Sequence, residues 1–376
     1  MLMRVLLVTH YYPEHRGGIE IVAGELSERF ACRGIDVVWA ASGTDVGPPG
    51  QVVASRLPIT AWNFSERLLG FPYPLWGPSS LFRLYRQARQ CDLVHLHDSL
   101  YMGNVVAYLF ARWLRKPVVV TQHVGMVPYS RWILRGLLAL ANRTLASMVL
   151  GGCDCPIFIS PKVLSYFTRF VRFRCPPLFI PNGVTTSIFR PISGDDRQRL
   201  RTELGLPIDK PVLLFVGRFV EKKGLPILRI LAEHFPECEW ILIGWGPIDP
   251  ASWELPNVRC LGSMERTEIT PYYQAADLLM LPSVGEGFPL VVQEAMACGT
   301  PALISKDTAK GMQGLESVAF VSDLAPESLI PRLREILNST EDLRSRRQEV
   351  ADFARRHWDW ELCVDQYRQL FLELAR

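Results

Sequence analysis

Short apolar runs alternate with amphipathic stretches along the whole chain. The runs are nearly continuous in aliphatic residues, as in strands that are covered on both faces. Because helical patterns separate them, we predict an α/β fold with parallel sheets and right-handed crossovers. The predicted strands are Val5–Thr9, Ile35–Ala40, Leu93–Leu96, Val118–Thr121 and Ile157–Ser160 in the first half, and Val212–Val216, Trp240–Ile243, Val258–Leu261, Leu278–Leu281 and Ala302–Ile304 in the second.

The first crossover helix shows clear helical spacing. Apolar residues from Ile21 to Phe30 recur on one face, and Gly34 stands where the helix is expected to end. Two such β/α series in a chain of 376 residues predict two doubly wound domains that face each other. We place the first domain at residues 1–185 and the second at 186–357.

Two segments do not fit this alternation of strands and helices. Residues 61–78 hold several aromatic residues among prolines, and we predict a long loop, either functional or a flap over a sheet end. An amphipathic run through Tyr367 and Phe371 ends the chain. We predict that residues 358–376 form a helix that packs back on the first domain, with packing on the second domain as the alternative.

Composition and charge narrow the class of protein. The chain is 48% hydrophobic and 21% charged, with a net charge of only +3, which argues against a dedicated nucleic-acid binder. The nine cysteines lack zinc or redox-pair spacing, and the first apolar run is too short for a signal peptide. We expect a cytoplasmic protein. Residues 132–150 are interrupted by Arg135, Asn142 and Arg143, so we do not expect them to span a bilayer.

Cations follow the first predicted strand of the second half. Gly217 and Arg218 come directly after Val212–Val216, and Lys223 lies five positions beyond Arg218. Ligands of open α/β sheets bind at the carboxyl ends of the strands. An arginine and a lysine fixed there suit a diphosphate, with Lys222 as the neighbouring alternative. The alternative is that these cations are ordinary solvated charges on a loop and bind no ligand.

Glycine turns end two other predicted strands. Gly17 and Gly18 follow the first strand and open the first helix, where backbone N–H groups can approach a phosphate. Gly246 follows the Trp240–Ile243 strand in a Gly-Trp-Gly-Pro turn. An ordinary tight turn also explains each of them, and the Gly-Gly pair lacks the third glycine of the dinucleotide fingerprint.

Histidines lie on or after two strands of the first half. His123 follows Val118–Thr121, where a histidine can bind hydroxyls or transfer a proton, and a structural role is the alternative. We expect His95 and His97 on opposite faces of their strand. Without suitably spaced acidic or thiol partners, they predict no metal site. One of them, with Asp98, is expected to reach the crevice.

Two glutamates, Glu286 and Glu294, stand eight positions apart in the most informative stretch of the chain. A carboxylate can accept two hydroxyl hydrogen bonds at once, which suits a vicinal diol. Paired carboxylates also fit glycoside hydrolysis. However, the cations Arg218 and Lys223 would be surplus for a hydrolase, whereas a diphosphate leaving group needs them.

A predicted helix begins between these glutamates. Pro289 fits its first turn, and Gly299 its end. The backbone N–H groups of Phe288, Leu290 and Val291 would partly lack partners at the helix start. An anionic or hydroxyl-rich ligand can satisfy them.

In this order, the motifs resemble the retaining glycosyltransferases of family 4, which have the GT-B fold. The resemblance extends from Gly17-Gly18 to the Trp358 segment, nearly the whole chain. The motifs that carry it are Gly217-Arg218-Phe-Val-Glu-Lys-Lys223-Gly224, Gly244-x-Gly246-Pro and Pro282-Ser-Val-Gly-Glu286-Gly-Phe-Pro…Glu294-Ala-Met-Ala-Cys-Gly-Thr-Pro301.

The resemblance implies a role for each matching position. Arg218 and Lys223 would bind the donor diphosphate, and Glu294 would hold the nucleotide ribose. Glu286 would face the donor sugar, with His123 near the reacting carbon. Further donor contacts would come from Gly17, Gly18, Gly217, Gly246, Phe288, Pro289 and Leu290.

The implied reaction is the transfer of a sugar, with retention, from a nucleotide sugar to a hydroxyl acceptor in polysaccharide or glycolipid synthesis. No metal and no cofactor would be required, because protein cations and helix dipoles would take the role of a divalent metal ion at the diphosphate. A nucleotide-sugar 2-epimerase and a non-catalytic nucleotide-sugar-binding module are the alternatives. Phe288-Pro289 replaces the more usual Phe-Gly, so donor preference is expected to shift.

Arginines and apolar residues mix on the acceptor side of the chain. Residues 132–150 carry arginines beside an apolar face, and residues 167–174 interleave phenylalanines with arginines. Such segments can lie at an anionic lipid surface, and ordinary amphipathic helices are the alternative. We therefore expect peripheral contact with the cytoplasmic membrane and a carbohydrate or lipid-linked acceptor.

Overall fold

The computed structural model describes residues 2–15, 17–43, 54–62, 73–126, 132–312 and 314–375. The described residues up to Pro181, together with those from Cys363 onward, form one compact unit, and Asn182–Leu362 forms a second. Each unit is built on a parallel sheet with helices around it, which confirms the predicted α/β class.

The first unit holds a seven-stranded parallel sheet within the described residues, in the order β3-β2-β1-β6-β7-β8-β9. The middles of its inner strands are fully buried, as the continuous apolar runs predict. The strands of this unit are Arg4–Tyr11 (β1), Asp36–Ser42 (β2), Ser55–Ile59 (β3), Ala61–Trp62 (β4), Leu75–Trp76 (β5), Leu93–His97 (β6), Val118–Gln122 (β7), Cys155–Phe158 (β8) and Leu178–Phe179 (β9).

The sequence did not predict β3 and β9, which are the two edges of this sheet. Strand β3 contains Pro58, a residue that sheets tolerate mainly at an edge. Strand β9 has only two residues. Short or proline-containing edge strands lack the apolar run by which the inner strands are recognised.

Helices cover the first sheet, and the first of them ends as predicted. Gly34 follows α1 with a φ of +77°, the left-handed conformation that favours glycine after a helix. The helices of this unit are Gly18–Cys32 (α1), Pro78–Gln90 (α2), Met102–Trp113 (α3), Trp132–Ala141 (α4), Ser147–Gly152 (α5) and Pro161–Phe167 (α6), with short turns at Pro13–His15 (3₁₀) and Asn142–Ala146 (π).

The aromatic segment is not a loop throughout. Strands β4 and β5 pair antiparallel, with Ala61 opposite Trp76. The Trp76 ring is buried, and its indole N–H donates to Ser42 Oγ at 2.7 Å. Trp76 therefore belongs to the first unit's core, whereas Trp62 and Leu75 are exposed. Residues 63–72 lie outside the described residues.

Residues 132–152 form an exposed apolar helix, with a π turn between α4 and α5. Among the described residues, this is one stretch whose length and composition would let it cross a membrane, and only 22% of it is buried. The stretch is more apolar than we expected, because the three polar interruptions do not outweigh the apolar residues around them. That it does not span a bilayer stays a prediction. Trp132, Leu137 and Leu140 expose 74%, 59% and 60% of their surface.

Residues 167–174 do not form the apolar surface that we expected. Phe167 is fully buried in the core, and Phe170 and Phe173 pack against that core. The arginines between them are exposed. The phenylalanines therefore stabilise the fold, and the exposed apolar surface lies on residues 132–152.

The second unit holds a six-stranded parallel sheet in the part of the chain that is described, in the order β12-β11-β10-β13-β14-β15. The ten-strand prediction missed only β15 here, a three-residue edge strand. The strands are Val212–Arg218 (β10), Glu239–Trp245 (β11), Val258–Leu261 (β12), Leu278–Leu281 (β13), Ala302–Ser305 (β14) and Phe320–Ser322 (β15).

The order of the strands reverses at one place in each parallel sheet, and ligands of such sheets bind at this place. In the second unit this place lies between β10 and β13, which are neighbours in the sheet but not in the chain. The remaining helices are Gly194–Glu203 (α7), Leu225–His234 (α8), Arg266–Ala275 (α9), Leu290–Ala297 (α10), Lys306–Ala309 (α11), Pro326–Asn338 (α12), Thr340–Trp358 (α13) and Trp360–Leu374 (α14), with 3₁₀ turns at Glu221–Lys223, Pro250–Trp253 and Leu315–Ser317.

The end of α14 packs on the sheet of the first unit. The hydroxyl of Tyr367 lies 3.0 Å from Thr121 Oγ1 on β7. The rings of Tyr367 and Phe371 both contact Phe30 of α1. These buried contacts explain why an aromatic, amphipathic pattern ends the sequence.

Candidate functional site

Lys223 and Glu286 form an ion pair where the strand order of the second sheet reverses, between β10 and β13. Lys223 Nζ lies 2.6 Å from Glu286 Oε1, and the two side chains expose only 19% and 14% of their surface. Lys223 belongs to the 3₁₀ turn after β10, whereas Glu286 follows β13. The fold thus brings together two predicted site residues that are far apart in sequence.

Backbone contacts hold the two loops of this pair. The N–H of Val284 donates to the carbonyl oxygen of Lys222 at 2.9 Å. The N–H of Gly285 donates to Asp307 Oδ2 at 2.8 Å. The loop that carries Glu286 is therefore tied on one side to the lysine turn and on the other to α11, which limits its freedom.

Arg218 ends β10 and lies beside an aromatic ring. Its guanidinium carbon is 4.9 Å from the ring centroid of Trp245, which ends the neighbouring strand β11. Such a cation–π contact fixes the side chain without neutralising its charge. Arg218 and Lys223 thus place two cations at the carboxyl end of one strand, while Lys222, whose pKa is lowered by burial and by Lys223, is a third cation nearby.

The glycine turn after β11 is explained by its neighbouring backbone. A Cβ atom on Gly246 would lie 2.3 Å from the carbonyl oxygen of Phe219. A side chain at this position would therefore force the β10 and β11 loops apart. Close packing within the protein accounts for Gly246 before any ligand is considered, and Gly217 lies on the same pair of strands.

The helix that starts between the two glutamates and contains Glu294 begins one residue later than predicted. Pro289 is its N-cap, with an extended backbone (φ −71°, ψ 119°), and Leu290 is the first helical residue. Phe288 is buried with its ring against Trp358, at 5.8 Å between centroids. The Phe288 side chain is therefore part of the core, and a ligand contact through its backbone stays a prediction.

Glu294 is buried within α10 and has two protein partners that the sequence did not reveal. Arg266 places Nε and Nη2 at 3.0 and 2.9 Å from Glu294 Oε1, and the Tyr273 hydroxyl donates to Oε2 at 3.0 Å. Burial and the Glu294 carboxylate raise the pKa of Tyr273 well above its usual value. The phenol therefore stays protonated and remains a donor.

In the first unit, the helix start at Gly17 and Gly18 faces a carboxylate of its own. A Cβ atom on Gly17 would lie 2.1 Å from the carboxylate of Glu20. Glu20 is buried and accepts from His10 at 3.0 Å, with His15 at 3.5 Å. Burial opposes its ionisation, but the two histidines outweigh burial and lower the pKa of Glu20 to about 2.

Glu20 changes the chemistry of this helix start. An ionised carboxylate complements the positive end of a helix, and it repels a second anion there. Sequence analysis missed Glu20, although an acidic residue in the first helical turn was a signal for it. The N–H groups near Gly17 and Gly18 therefore share their surroundings with one negative charge.

His123 contacts a second buried histidine. His97 Nδ1 and His123 Nε2 lie 2.9 Å apart. Burial lowers the pKa of His123 to about 3, so both rings are neutral at ordinary pH and one donates to the other. His123 thus follows β7 as predicted, and it has a partner that could hold its ring in one orientation.

The expectation for His95 and His97 is wrong. Their ring centroids lie only 4.5 Å apart, because residues two positions apart in a strand share a face. Asp98, with a φ of 69°, accepts from the backbone N–H of His123 at 3.0 Å. Burial raises the pKa of Asp98 to about 7. Among the described residues, no group of three or more His, Cys, Asp or Glu side chains is arranged to hold a metal ion.

Comparison with protein-family models gives two matches. Residues 16–188 match the model "Glycosyltransferase Family 4", and residues 210–339 match the model "Glycosyl transferases group 1". The two matches lie in the two halves of the chain, and the second contains Arg218, Lys223, Glu286 and Glu294. Together they cover the described sites of both units.

Individual proteins resemble the chain over most of its length. A D-inositol 3-phosphate glycosyltransferase of Kineococcus radiotolerans is 32% identical over 380 residues, covering 86% of this chain and 82% of that protein. A phosphatidyl-myo-inositol mannosyltransferase of Propionibacterium freudenreichii is 25% identical over 379 residues, covering 95% and 92%. Anabaena Alr3699/HepE, solved in complex with UDP, has a TM-score of 0.78 at 19% identity, covering 99% and 100%.

The structural likeness concerns the fold alone. A second solved structure, the sucrose-phosphate synthase of Thermosynechococcus elongatus, has a TM-score of 0.74 at 21% identity and covers 99% of each chain. Both neighbours are similar to this chain throughout, and not in one domain only. The predicted GT-B architecture, with two parallel-sheet domains, is thereby confirmed.

Proposed function

The chain belongs to glycosyltransferase family 4, and from this premise we propose that it moves a sugar from a nucleoside-diphosphate sugar to a hydroxyl acceptor with retention of configuration. One observation carries the proposal: the Lys223–Glu286 ion pair at the point where the strand order of the second sheet reverses. A cation for the phosphate and a carboxylate for the sugar hydroxyls lie 2.6 Å apart there. Neighbouring groups of opposite charge suit a ligand that carries phosphate oxygens and sugar hydroxyls on adjacent atoms.

The proposed chemistry is stabilisation of a departing diphosphate. As the bond between sugar and phosphate breaks, negative charge grows on the leaving oxygen. Arg218 and Lys223 supply fixed positive charge, and the start of α10 adds partial positive charge from its backbone N–H groups. No metal ion is needed in this scheme, since two protein cations and the start of a helix would stabilise the negative charge of the leaving diphosphate.

Retention is proposed without a covalent intermediate. The acceptor hydroxyl would attack on the face from which the diphosphate leaves, and the departing phosphate would take up the hydroxyl proton. Glu286 is engaged with Lys223, which makes it a better ligand for sugar hydroxyls than a nucleophile. His123 is hydrogen-bonded to His97, and the contact with the donor sugar that the family resemblance implies for it stays a prediction.

The acceptor is proposed to be a lipid-linked or lipid-embedded alcohol. The apolar face of residues 132–152 is exposed, and Arg135 and Arg143 on the same stretch are exposed too. An apolar face flanked by cations suits the surface of an anionic membrane. A relative named for phosphatidyl-myo-inositol mannosylation supports an acceptor of this class. We place the enzyme on the cytoplasmic face of the membrane.

Ligand-induced thermal stabilisation tests the donor. UDP-, GDP- and ADP-sugars are added separately to the protein, with EDTA present. A ligand at 100 times its dissociation constant adds about 2.7 kcal/mol to the unfolding free energy, a clear rise in melting temperature. We expect at least one nucleotide sugar to stabilise the wild type, and much less stabilisation of Lys223→Ala. Equal stabilisation of the wild type and Lys223→Ala would contradict the proposal that Lys223 binds the donor.

A further inference from the structure

Arg266 and Tyr273 reach Glu294 from one face of a neighbouring helix. They begin and nearly end α9, seven residues apart, which is about two helical turns. Residues at this spacing lie on the same face of a helix. Glu294 lies on α10, so the contact is built from two helices and no flexible loop.

A buried ring supports both partners. The guanidinium carbon of Arg266 lies 5.3 Å from the ring centroid of Phe189. The Tyr273 ring meets the same ring edge-on, at 6.1 Å between centroids. Phe189 and Tyr273 are both buried. Packing of this kind restricts the rotamers of the two donors, and so fixes the direction from which each approaches Glu294.

The two partners bind different oxygens of the carboxylate. Arg266 contacts Oε1, and Tyr273 contacts Oε2. Contacts on both oxygens define the plane of the carboxylate, which a single contact would leave able to rotate. Arg266 also favours the ionised carboxylate, whereas the phenol adds a neutral donor without adding charge.

We infer that Arg266 and Tyr273 are positioning residues that hold the Glu294 carboxylate in the plane needed to bind a vicinal diol, the 2′ and 3′ hydroxyls of a ribose. The inference rests on the proposed function, since it takes Glu294 as the ribose ligand. A carboxylate that is already held in the orientation that accepts both hydroxyls loses less side-chain freedom on binding and so binds the diol more tightly. A carboxylate that is free to turn would hold one hydroxyl at a time.

Nucleotide binding with and without the ribose hydroxyls tests the inference. UDP, GDP and ADP are titrated calorimetrically into the wild type, and the one that binds is compared with its 2′,3′-dideoxy form. We expect the wild type to prefer the ribonucleotide. Tyr273→Phe should weaken ribonucleotide binding about tenfold, as for the loss of one supporting partner of a ligating side chain. Binding of the dideoxy form should not change.

Matched variants separate positioning from folding. Tyr272→Phe removes a hydroxyl one residue away on the same helix and should leave both affinities unchanged. Arg266→Lys should retain more of the ribonucleotide preference than Arg266→Met, because lysine keeps the charge. Melting temperatures of all variants report stability, which a merely structural role would alter without changing the ratio of the two affinities.

Two outcomes overturn the inference in distinguishable ways. If the wild type does not prefer any ribonucleotide over its dideoxy form, or binds none, the ribose role of Glu294 fails and the inference with it. If the wild type does discriminate and Glu294→Gln abolishes this, but Tyr273→Phe and Arg266→Met discriminate as well as the wild type, the inference alone fails. A reduced ratio in both variants, with Tyr272→Phe unchanged, supports it.

Discussion

The pairing of Lys223 with Glu286 explains how one lysine is singled out from two adjacent ones. Lys223 reaches a carboxylate that follows another strand, and Lys222 contributes its backbone carbonyl to the same loop. Sequence alone left the two lysines as alternatives. The ion pair with Glu286 favours Lys223, and its role as the diphosphate ligand stays a prediction.

Replacement of Lys223 should therefore impair catalysis, and the equivalent change at Lys222 should not. By comparison with the loss of an oxyanion-hole donor, we expect Lys223→Ala to lower kcat by about 10²–10³-fold, with the fold intact. Lys222→Ala is the matched control and should stay within a few-fold of the wild type. Steady-state kinetics of nucleoside-diphosphate release measures both. The reverse ranking would assign the diphosphate contact to Lys222.

The buried histidine His123 predicts an acid-sensitive fold. Its pKa is about 3 in the folded chain, against an ordinary value of 6.5. Below pH 6.5 the unfolded chain therefore takes up a proton that the folded chain does not bind. This lowers the unfolding free energy by about 1.4 kcal/mol per pH unit until the pH nears 3.

Thermal melts between pH 7.5 and pH 5 test this expectation. His123→Gln removes the titrating ring but keeps a side chain that can hydrogen-bond to His97. The melting temperature of the variant should fall less steeply with acid than that of the wild type. Parallel curves would show that His123 is protonated equally in the folded and unfolded chains.

Among the elements, the helical stretch of residues 132–152 makes a prediction about lipid surfaces. We expect the wild type to float with vesicles that contain anionic phospholipid. The double variant Leu137→Asp/Leu140→Asp should bind these vesicles more than about tenfold more weakly, since burying one leucine side chain contributes roughly 1.5–3 kcal/mol. Both leucines are exposed, so the fold should tolerate the change.

A control variant outside this helix separates the loss of its apolar surface from the effect of added negative charge. Ile208 exposes 56% of its surface and lies in the second unit. Ile208→Asp should float like the wild type. Equal loss in both variants would point to a general effect of added negative charge, and flotation of the double variant at wild-type levels would contradict the membrane proposal.

The elements that the sequence predicted best are those with continuous apolar runs. The inner strands of both sheets carry such runs, because helices cover them on both faces. The edge strands β3, β9 and β15 escaped prediction, since they are short or contain proline. The helix at Leu290 was predicted within one residue, because proline and glycine mark its two ends.

For the whole molecule, contiguous sequence motifs were enough to predict the candidate site residues. The side chains that contact those residues became visible only in the folded structure. Arg218, Lys223, Glu286 and Glu294 stand out because each follows a strand or lies in a helix within a recognisable motif. Arg266, Tyr273 and Glu20 do not, since their relevance depends on a contact made only in the folded chain. Arg266 and Glu294 are separated by 28 positions, and no local pattern joins them.

The central claim is that the chain transfers a sugar from a nucleoside diphosphate to an acceptor hydroxyl with retention. The most direct measurement is NMR of the glycoside formed from a donor, identified by thermal stabilisation, and a bacterial lipid extract, with EDTA present. We predict a new glycoside whose anomeric coupling matches that of the donor sugar, and its loss in Lys223→Ala. A product of opposite anomeric configuration would contradict retention, and conversion of the donor sugar without any acceptor would contradict transfer and favour a 2-epimerase.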